Sequence, residues 1–418
     1  MTEPRPATRR RLLPIAIALL LVAVTGVALL AANRGALKVA FMQWRLGPPP
    51  AAQVYDAGQV PAGVAVPVRA GDQLQPDLGQ QLYFSPWNWG FSPGQAASNT
   101  PGAYFKVRFT GDRLVARFNV DWLRAAAFPG SSYPVITTRI DGGPAHRQAL
   151  GPNQTQLDLL TGQTLNSDPD HAHTAVVTFV ATHFDKGDRW QTPVAALRLT
   201  GLDLAPGATL HAPPVRPRRV LVFGDSHGEG VELLGAGSHT IHQDAQLAYP
   251  QLIADAWDAE VGVVAFGGVG FVEPVAGANM PPIRDTWAHC WQDVSRLDAQ
   301  GRLLPAPDVI LSALGDNDPD DQAVSHAVHH LAKAWRAAAP DAEIIFALPP
   351  NRGADGFRER LDAGLAEVTD DNLRVLDPGQ DFLIDPALSF GNHMNADGQS
   401  AYARALLEAY AQSSVDEE

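Results

Sequence analysis

Val220-Leu221-Val222-Phe223-Gly224-Asp225-Ser226 is a continuous apolar run that stops in a small, polar turn. A segment so short and so apolar reads as a strand buried on both faces, as in parallel sheets. Runs of the same form occur at residues 261–266, 309–314 and 344–348. Between the last two lies an Ala-rich helical stretch, 322–339. Residues 357–368 read as another helix and 401–411 as a terminal one. Buried strands alternating with helices predict a parallel α/β sheet covered on both faces. Reacting groups in open α/β sheets collect at the carboxyl ends of the strands, and Ser226 stands at such an end.

Toward the N-terminus the pattern changes. Pro213-Pro214-Val215-Arg216-Pro217-Arg218-Arg219 is a stiff, charged linker that marks a domain boundary. Before it, residues 76–212 read as an all-β domain. Short strands are expected at 104–109, 114–122, 135–140, 174–184 and 194–204, with Gly, Pro and Asp between them. That spacing predicts a β-sandwich, of jelly-roll type. Residues 33–75, broken by Pro48-Pro49-Pro50 and scattered Gly and Ala, read as a stalk.

The first residues point to a membrane. Arg9-Arg10-Arg11 precedes an uncharged apolar run over 12–32. As a helix that run is roughly 31 Å long, enough to span the hydrocarbon core. It continues past the small-residue triplet Gly26-Val27-Ala28, so an uncleaved transmembrane anchor is expected in place of a removed leader. The basic triplet keeps the 1–11 tail inside, and the folded domains would then be periplasmic or extracellular.

Composition bounds the rest. The chain has 418 residues, 45% of them hydrophobic and 18% charged, which suits globular domains. A formal net charge of −14 argues against nucleic acid as a partner. A single cysteine, Cys290, excludes an intrachain disulfide and a Cys-rich metal site. His326, His329 and His330 share a helical face without a carboxylate or thiol, which favours a packed or solvated face over a metal site. His171 and His173 are read the same way. Trp87 and Trp89 read as core aromatics before sugar-stacking ones.

Three further segments bear on chemistry. Ala265-Phe266-Gly267-Gly268-Val269-Gly270 ends the second strand, and Gly315-Asp316-Asn317-Asp318 ends the third. His393-Met394-Asn395-Ala396-Asp397-Gly398 lies just before the last helix. A serine supplies a nucleophile and a histidine can take its proton and return it to the leaving group. A backbone N–H at a glycine and an asparagine side chain can stabilise an oxyanion.

Ser, Gly, Asn and His in this order resemble the SGNH/GDSL hydrolases over about residues 218–412. The resemblance implies a flavodoxin-like α/β/α domain with no metal and no cofactor. It implies Ser226 as nucleophile, His393 as base, and an oxyanion hole from Ser226, Asn317 and either Gly270 or Gly268. A β-sandwich directly before such a domain is similar to carbohydrate esterase family two. His173-Thr174-Ala175-Val176-Val177, Phe223-Gly224-Asp225-Ser226-His227-Gly228-Glu229-Gly230 and Gly268-Val269-Gly270 carry that similarity.

The expected activity is therefore hydrolysis of O-acyl groups, above all O-acetyl groups, on extracytoplasmic carbohydrate. The alternatives are an O-acyltransferase using the same site and an inactive glycan-binding protein. One departure stands out. The usual ending Asp-x-x-His is here Phe390-Gly391-Asn392-His393. The group orienting the imidazole must come from elsewhere: a backbone carbonyl, Asp385 or Asp397.

Overall fold

The computed structural model describes residues 42–47, 50–56, 59–75, 77–166, 168, 171–183, 189–237, 239–274, 280–318, 322–351, 356–379 and 381–415. The chain divides into two compact units, Met1–Pro49 and Pro50–Glu418. In the first, residues 42–46 are helical. The expected membrane span over 12–32 lies outside the described residues. Among those described, no helix is long and apolar enough to cross a membrane.

The second unit begins with two antiparallel-rich sheets. One has the order Gln156–Asp158, Leu114–Phe118, Leu197–Leu204, Val68–Ala70, Gln73–Gln75, with Gln95–Ser98 paired to Leu197–Leu204 and Gly90–Ser92 paired to Gln95–Ser98. The other has the order Leu210–His211, Tyr104–Phe109, His173–Ala181, Val135–Ile140, His146–Ala149, with Tyr83–Phe84 beside Tyr104–Phe109. Alternation puts Phe105, Val107 and Phe109 of one sheet and Leu114, Ala116 and Phe118 of the other into a shared core. Leu197 and Leu199 face that core, and so do Leu202 and Leu204. The parity changes because the pairing register shifts between Leu199 and Gly201, as at a bulge.

Residues 33–75 are not a stalk throughout. Val68–Ala70 runs parallel to Leu202–Leu204, and Gln73–Gln75 folds back on it. Val66 and Val68 are buried in the sandwich core. Three-residue strands are too short to show a period, so sequence pattern alone passes over them.

The remainder is a five-stranded sheet, every neighbouring pair parallel, in the order Ala259–Ala265, Arg218–Gly224, Val309–Ser312, Glu343–Ala347, Leu373–Leu376. Numbered along the chain this is 2-1-3-4-5, the flavodoxin-like arrangement. Leu221 and Phe223 face the helices Gln322–Ala338 and Phe357–Leu365, while Val220 and Val222 face Tyr249–Ala256 and Ala396–Val415. That two-sided burial is why the opening strand shows no polar alternation. The last strand, Leu373–Leu376, is only half buried and carries an arginine, so it lacks the apolar signature of the others.

The sandwich seals the exposed edge of this sheet. Asn88 donates from Nδ2 to the Val263 carbonyl at 2.6 Å and accepts the Val263 N–H at Oδ1 at 3.1 Å. One side chain thus stands in for a missing neighbouring strand. Tyr104 and Lys106 both reach Glu260 on the same edge. Trp87 and Trp89 are core residues: the Trp87 indole N–H donates to the Pro305 carbonyl at 2.8 Å, and both rings are buried.

Candidate active site

The strand Arg218–Gly224 ends where its helix begins. Asp225 caps the four-residue helix Ser226–Glu229, its Oδ1 accepting the His227 N–H at 2.9 Å. Gly230 then takes the left-handed conformation, φ +74°, and a Cβ there would lie 2.6 Å from the Asp244 carbonyl oxygen. Only glycine closes this turn, which releases the chain into the 231–247 segment. Ser226 sits at the top of the turn, 9% exposed.

The glycine segment after the second strand lies beside it. Glu229 Oε2 accepts the Gly267 N–H at 2.7 Å, tying that segment to the turn that carries Ser226. Asp318 accepts the N–H groups of Phe271 and Val272 at 2.7 and 2.9 Å. A Cβ on Gly270 would lie 2.5 Å from the Asp318 carboxylate. Among the described residues, the N–H groups of Ser226, Gly268 and Gly270 have no intramolecular acceptor. These are the backbone donors that an oxyanion hole needs. Both glycines expected from sequence therefore stay in play.

Asn317 is in this neighbourhood, with Nδ2 donating to Asp225 Oδ2 at 3.3 Å and to the Val269 carbonyl at 3.1 Å. Both amide hydrogens are engaged, so an oxyanion would have to take one over.

His393 comes from the far side, just before the helix Ala396–Val415. Its Nδ1 lies 2.9 Å from Glu232 Oε2, with both side chains largely buried. None of the three orienting groups expected from sequence fills this position. Asp385 turns its Oδ1 to the Ala387 N–H at 2.8 Å and stays with its own turn. Asp397 is exposed in the first turn of the last helix, where Asn395 does the capping. A backbone carbonyl is not needed, because a carboxylate is already there. Phe390 is partly exposed, and its N–H donates to the His393 carbonyl at 2.8 Å. Glu232 has no motif: it follows Ser226 in a segment without period, and only the fold brings it to His393.

The electrostatics suit a neutral base. Burial pushes His393 below the ordinary imidazole range, to about 4; His227 pushes the same way, while Glu232 and Glu229 oppose. The rings of His227 and His393 are 5.5 Å apart. Burial also lowers His227, against the pull of Asp225. Asp225 is pushed up to about 7 by burial, with Asp316 and Asp318 adding to the effect and His227 opposing it.

Two groups among the described residues have metal-ligand chemistry within 4.8 Å: Asp225, His227 and Asp316, and, on the sandwich, Asp141, His171 and His173. In the first, His227 Nε2 is 2.8 Å from Asp316 Oδ2. In the second, His173 Nδ1 is 2.6 Å from Asp141 Oδ2, and Asp141 Oδ1 accepts the Thr174 N–H at 2.7 Å. Hydrogen bonds to Asp141 account for the second group. Cys290 is buried with its thiol on the Trp87 carbonyl, and burial raises its pKa, which suits an inert thiol. His329 Nδ1 meets the Gly364 carbonyl at 3.2 Å, a packing contact.

A flavodoxin-like α/β domain preceded by a β-sandwich is a fold that solved structures share. The fold matches a family two carbohydrate esterase from Cellvibrio japonicus with a TM-score of 0.63, at 20% identity, covering 79% of this chain and 95% of that one. It matches a family two carbohydrate esterase from Clostridium thermocellum, in complex with cellohexaose, with a TM-score of 0.64, at 18% identity, covering 80% and 99%. In sequence the chain is 32% identical over 142 residues to an acetylxylan esterase / glucomannan deacetylase of Cellvibrio japonicus. That match spans 32% of this chain and 37% of the relative's length. No protein-family model matches the chain.

Proposed function

We propose that the protein is a serine esterase that removes O-acyl groups, chiefly O-acetyl, from carbohydrate. The observation that supports this most is the pairing of His393 Nδ1 with a carboxylate at 2.9 Å. An imidazole that donates its Nδ1–H there keeps Nε2 unprotonated and basic, which is what a general base beside a serine requires. Ser226 Oγ attacks the acyl carbonyl carbon while its proton passes to His393 Nε2. The carbonyl oxygen becomes an oxyanion, held by N–H groups of Ser226 and Gly270 or Gly268 and by Asn317. Collapse breaks the bond to the sugar oxygen, which takes the proton back from His393. Water then repeats the sequence on the acyl-serine and releases the acid.

Acetylated xylan and acetylated glucomannan are the first substrates to test, on the strength of the sequence relative. The 12–32 apolar run and its basic flank support attachment to a membrane with the folded domains outside. Acetate release from these polymers, wild type against Ser226→Ala, tests the reaction. Loss of release in a folded Ser226→Ala variant is expected; full residual activity overturns the mechanism. A fluorophosphonate label on Ser226 separates an active site from a glycan-binding relic.

A further inference from the structure

We infer that Glu232 is the positioning acid of the His393 base, and that the β-sandwich, through Arg147, holds the segment that delivers it. This rests on the esterase reading above and completes its machinery. In the usual arrangement the acid lies three residues before the histidine, where this chain has Phe390. Here the carboxylate arrives from the nucleophile side, six residues after Ser226 in sequence.

Its placement is over-determined. Glu232 has φ +55°, in the left-handed region that side chains seldom adopt. Its two carboxylate oxygens have separate tasks: Oε2 meets His393 Nδ1 at 2.9 Å, and Oε1 accepts the Gly237 N–H at 2.9 Å. The second bond holds the carboxylate in one orientation before any proton moves. The segment then folds back, with the Leu234 N–H on the His242 carbonyl and the Asp244 N–H on the Gly230 carbonyl.

The sandwich grips the returning limb. Arg147, on the strand His146–Ala149, donates from Nη1 to Asp244 Oδ2 at 2.8 Å. Its Nη2 donates to the carbonyls of Thr240 and Gln243 at 2.7 and 2.8 Å. Thr240 Oγ1 donates to the Ser131 carbonyl, and Thr137 Oγ1 to Gln246 Oε1, both at 2.8 Å. A planar guanidinium fixes these three acceptors from two nitrogens in a rigid fork, a spread that the single nitrogen of a lysine does not have. The segment's shape therefore depends on a domain that supplies no candidate nucleophile, base or oxyanion donor.

The test uses the whole chain with an acetate-release assay and, independently, the rate at which a fluorophosphonate labels Ser226. Glu232→Gln is expected to lower kcat about 10²–10⁴-fold with KM little changed, as when a triad carboxylate becomes an amide. It should slow labelling as well. Glu232→Asp should recover part of kcat. Arg147→Ala should lower kcat about tenfold, and combined with Glu232→Gln should cost less than the two losses multiplied, because both act on one contact. Near wild-type kcat and labelling in Glu232→Gln overturns the positioning role. Strictly multiplicative losses overturn the part assigned to Arg147. If Glu232→Gln does not fold, labelling of Glu232→Asp and Arg147→Ala at wild-type rates overturns the inference instead. Absence of acetate release from wild type, with Ser226 still labelled in a Glu232-dependent way, rejects the substrate and leaves Glu232 in place.

Discussion

Arg189→Met removes one half of an ion pair that is fully buried between the two folded parts. Arg189 and Glu229 are both completely inaccessible, with Nη1 and Oε1 2.5 Å apart. Arg189 Nε and Nη2 also donate to the Asn99 carbonyl, at 3.2 and 2.6 Å. Glu229 lies three residues after Ser226 and, among the described residues, its carboxylate keeps one other contact, the Gly267 N–H. Methionine fills much of the arginine's volume but leaves a buried carboxylate with a single neutral donor. Breaking such a pair from one side costs about 3–5 kcal/mol. For a unit of this size, at about 2.1 cal/mol/K per residue, that is a fall in Tm of roughly 4–6 °C. Thermal unfolding followed by circular dichroism reads it directly. Adding Glu229→Gln should restore at least half the loss, since a neutral amide no longer needs the cation and its oxygen still accepts from Gly267. Turnover of the folded single variant should fall too, because the Gly267 anchor is weakened. A single variant within about 2 °C of wild type, or a double variant no better than the single, would refute the argument that this buried pair holds the nucleophile turn to the sandwich.

Other perturbations test the remaining geometry. Asn317→Ala should lower kcat about 10²–10³-fold, the usual loss for one oxyanion donor, and an unchanged kcat would leave Asn317 as a turn residue. Gly270→Ala is permitted by its backbone but sets a methyl against the Asp318 carboxylate; destabilisation of about 1–3 kcal/mol with lowered turnover is expected in urea titration and acetate release. Since burial holds His393 neutral down to about 4, kcat/KM should stay level from neutral pH and fall only as pH drops toward that value, when the base protonates. An acid limb near pH 6.5 in the pH–rate profile would contradict that burial.

The strand ends of the parallel sheet were legible because local rules govern them. A strand buried on both faces must be apolar throughout, so 220–223, 261–266, 309–314 and 344–348 announced a parallel sheet. The Gly-Asp-Ser turn at its first strand marked where a nucleophile could stand. The sandwich was legible from alternation after Phe105 and from short strands such as Val135–Ile140 set off by Gly, Pro and Asp. The strands at Val68–Ala70, Gln73–Gln75 and Leu373–Leu376 were not, being too short or too polar to carry a period. What only the tertiary structure decided is which carboxylate meets His393. Glu232, Arg147 and Arg189 lie in segments without periodicity, and their roles are set by partners 161, 97 and 40 residues away in sequence. A carboxylate that orients an imidazole needs to be near it in space and aimed at one nitrogen. Sequence distance says nothing about either, and here the chain places that group on the loop that follows Ser226, closed by an arginine from the sandwich.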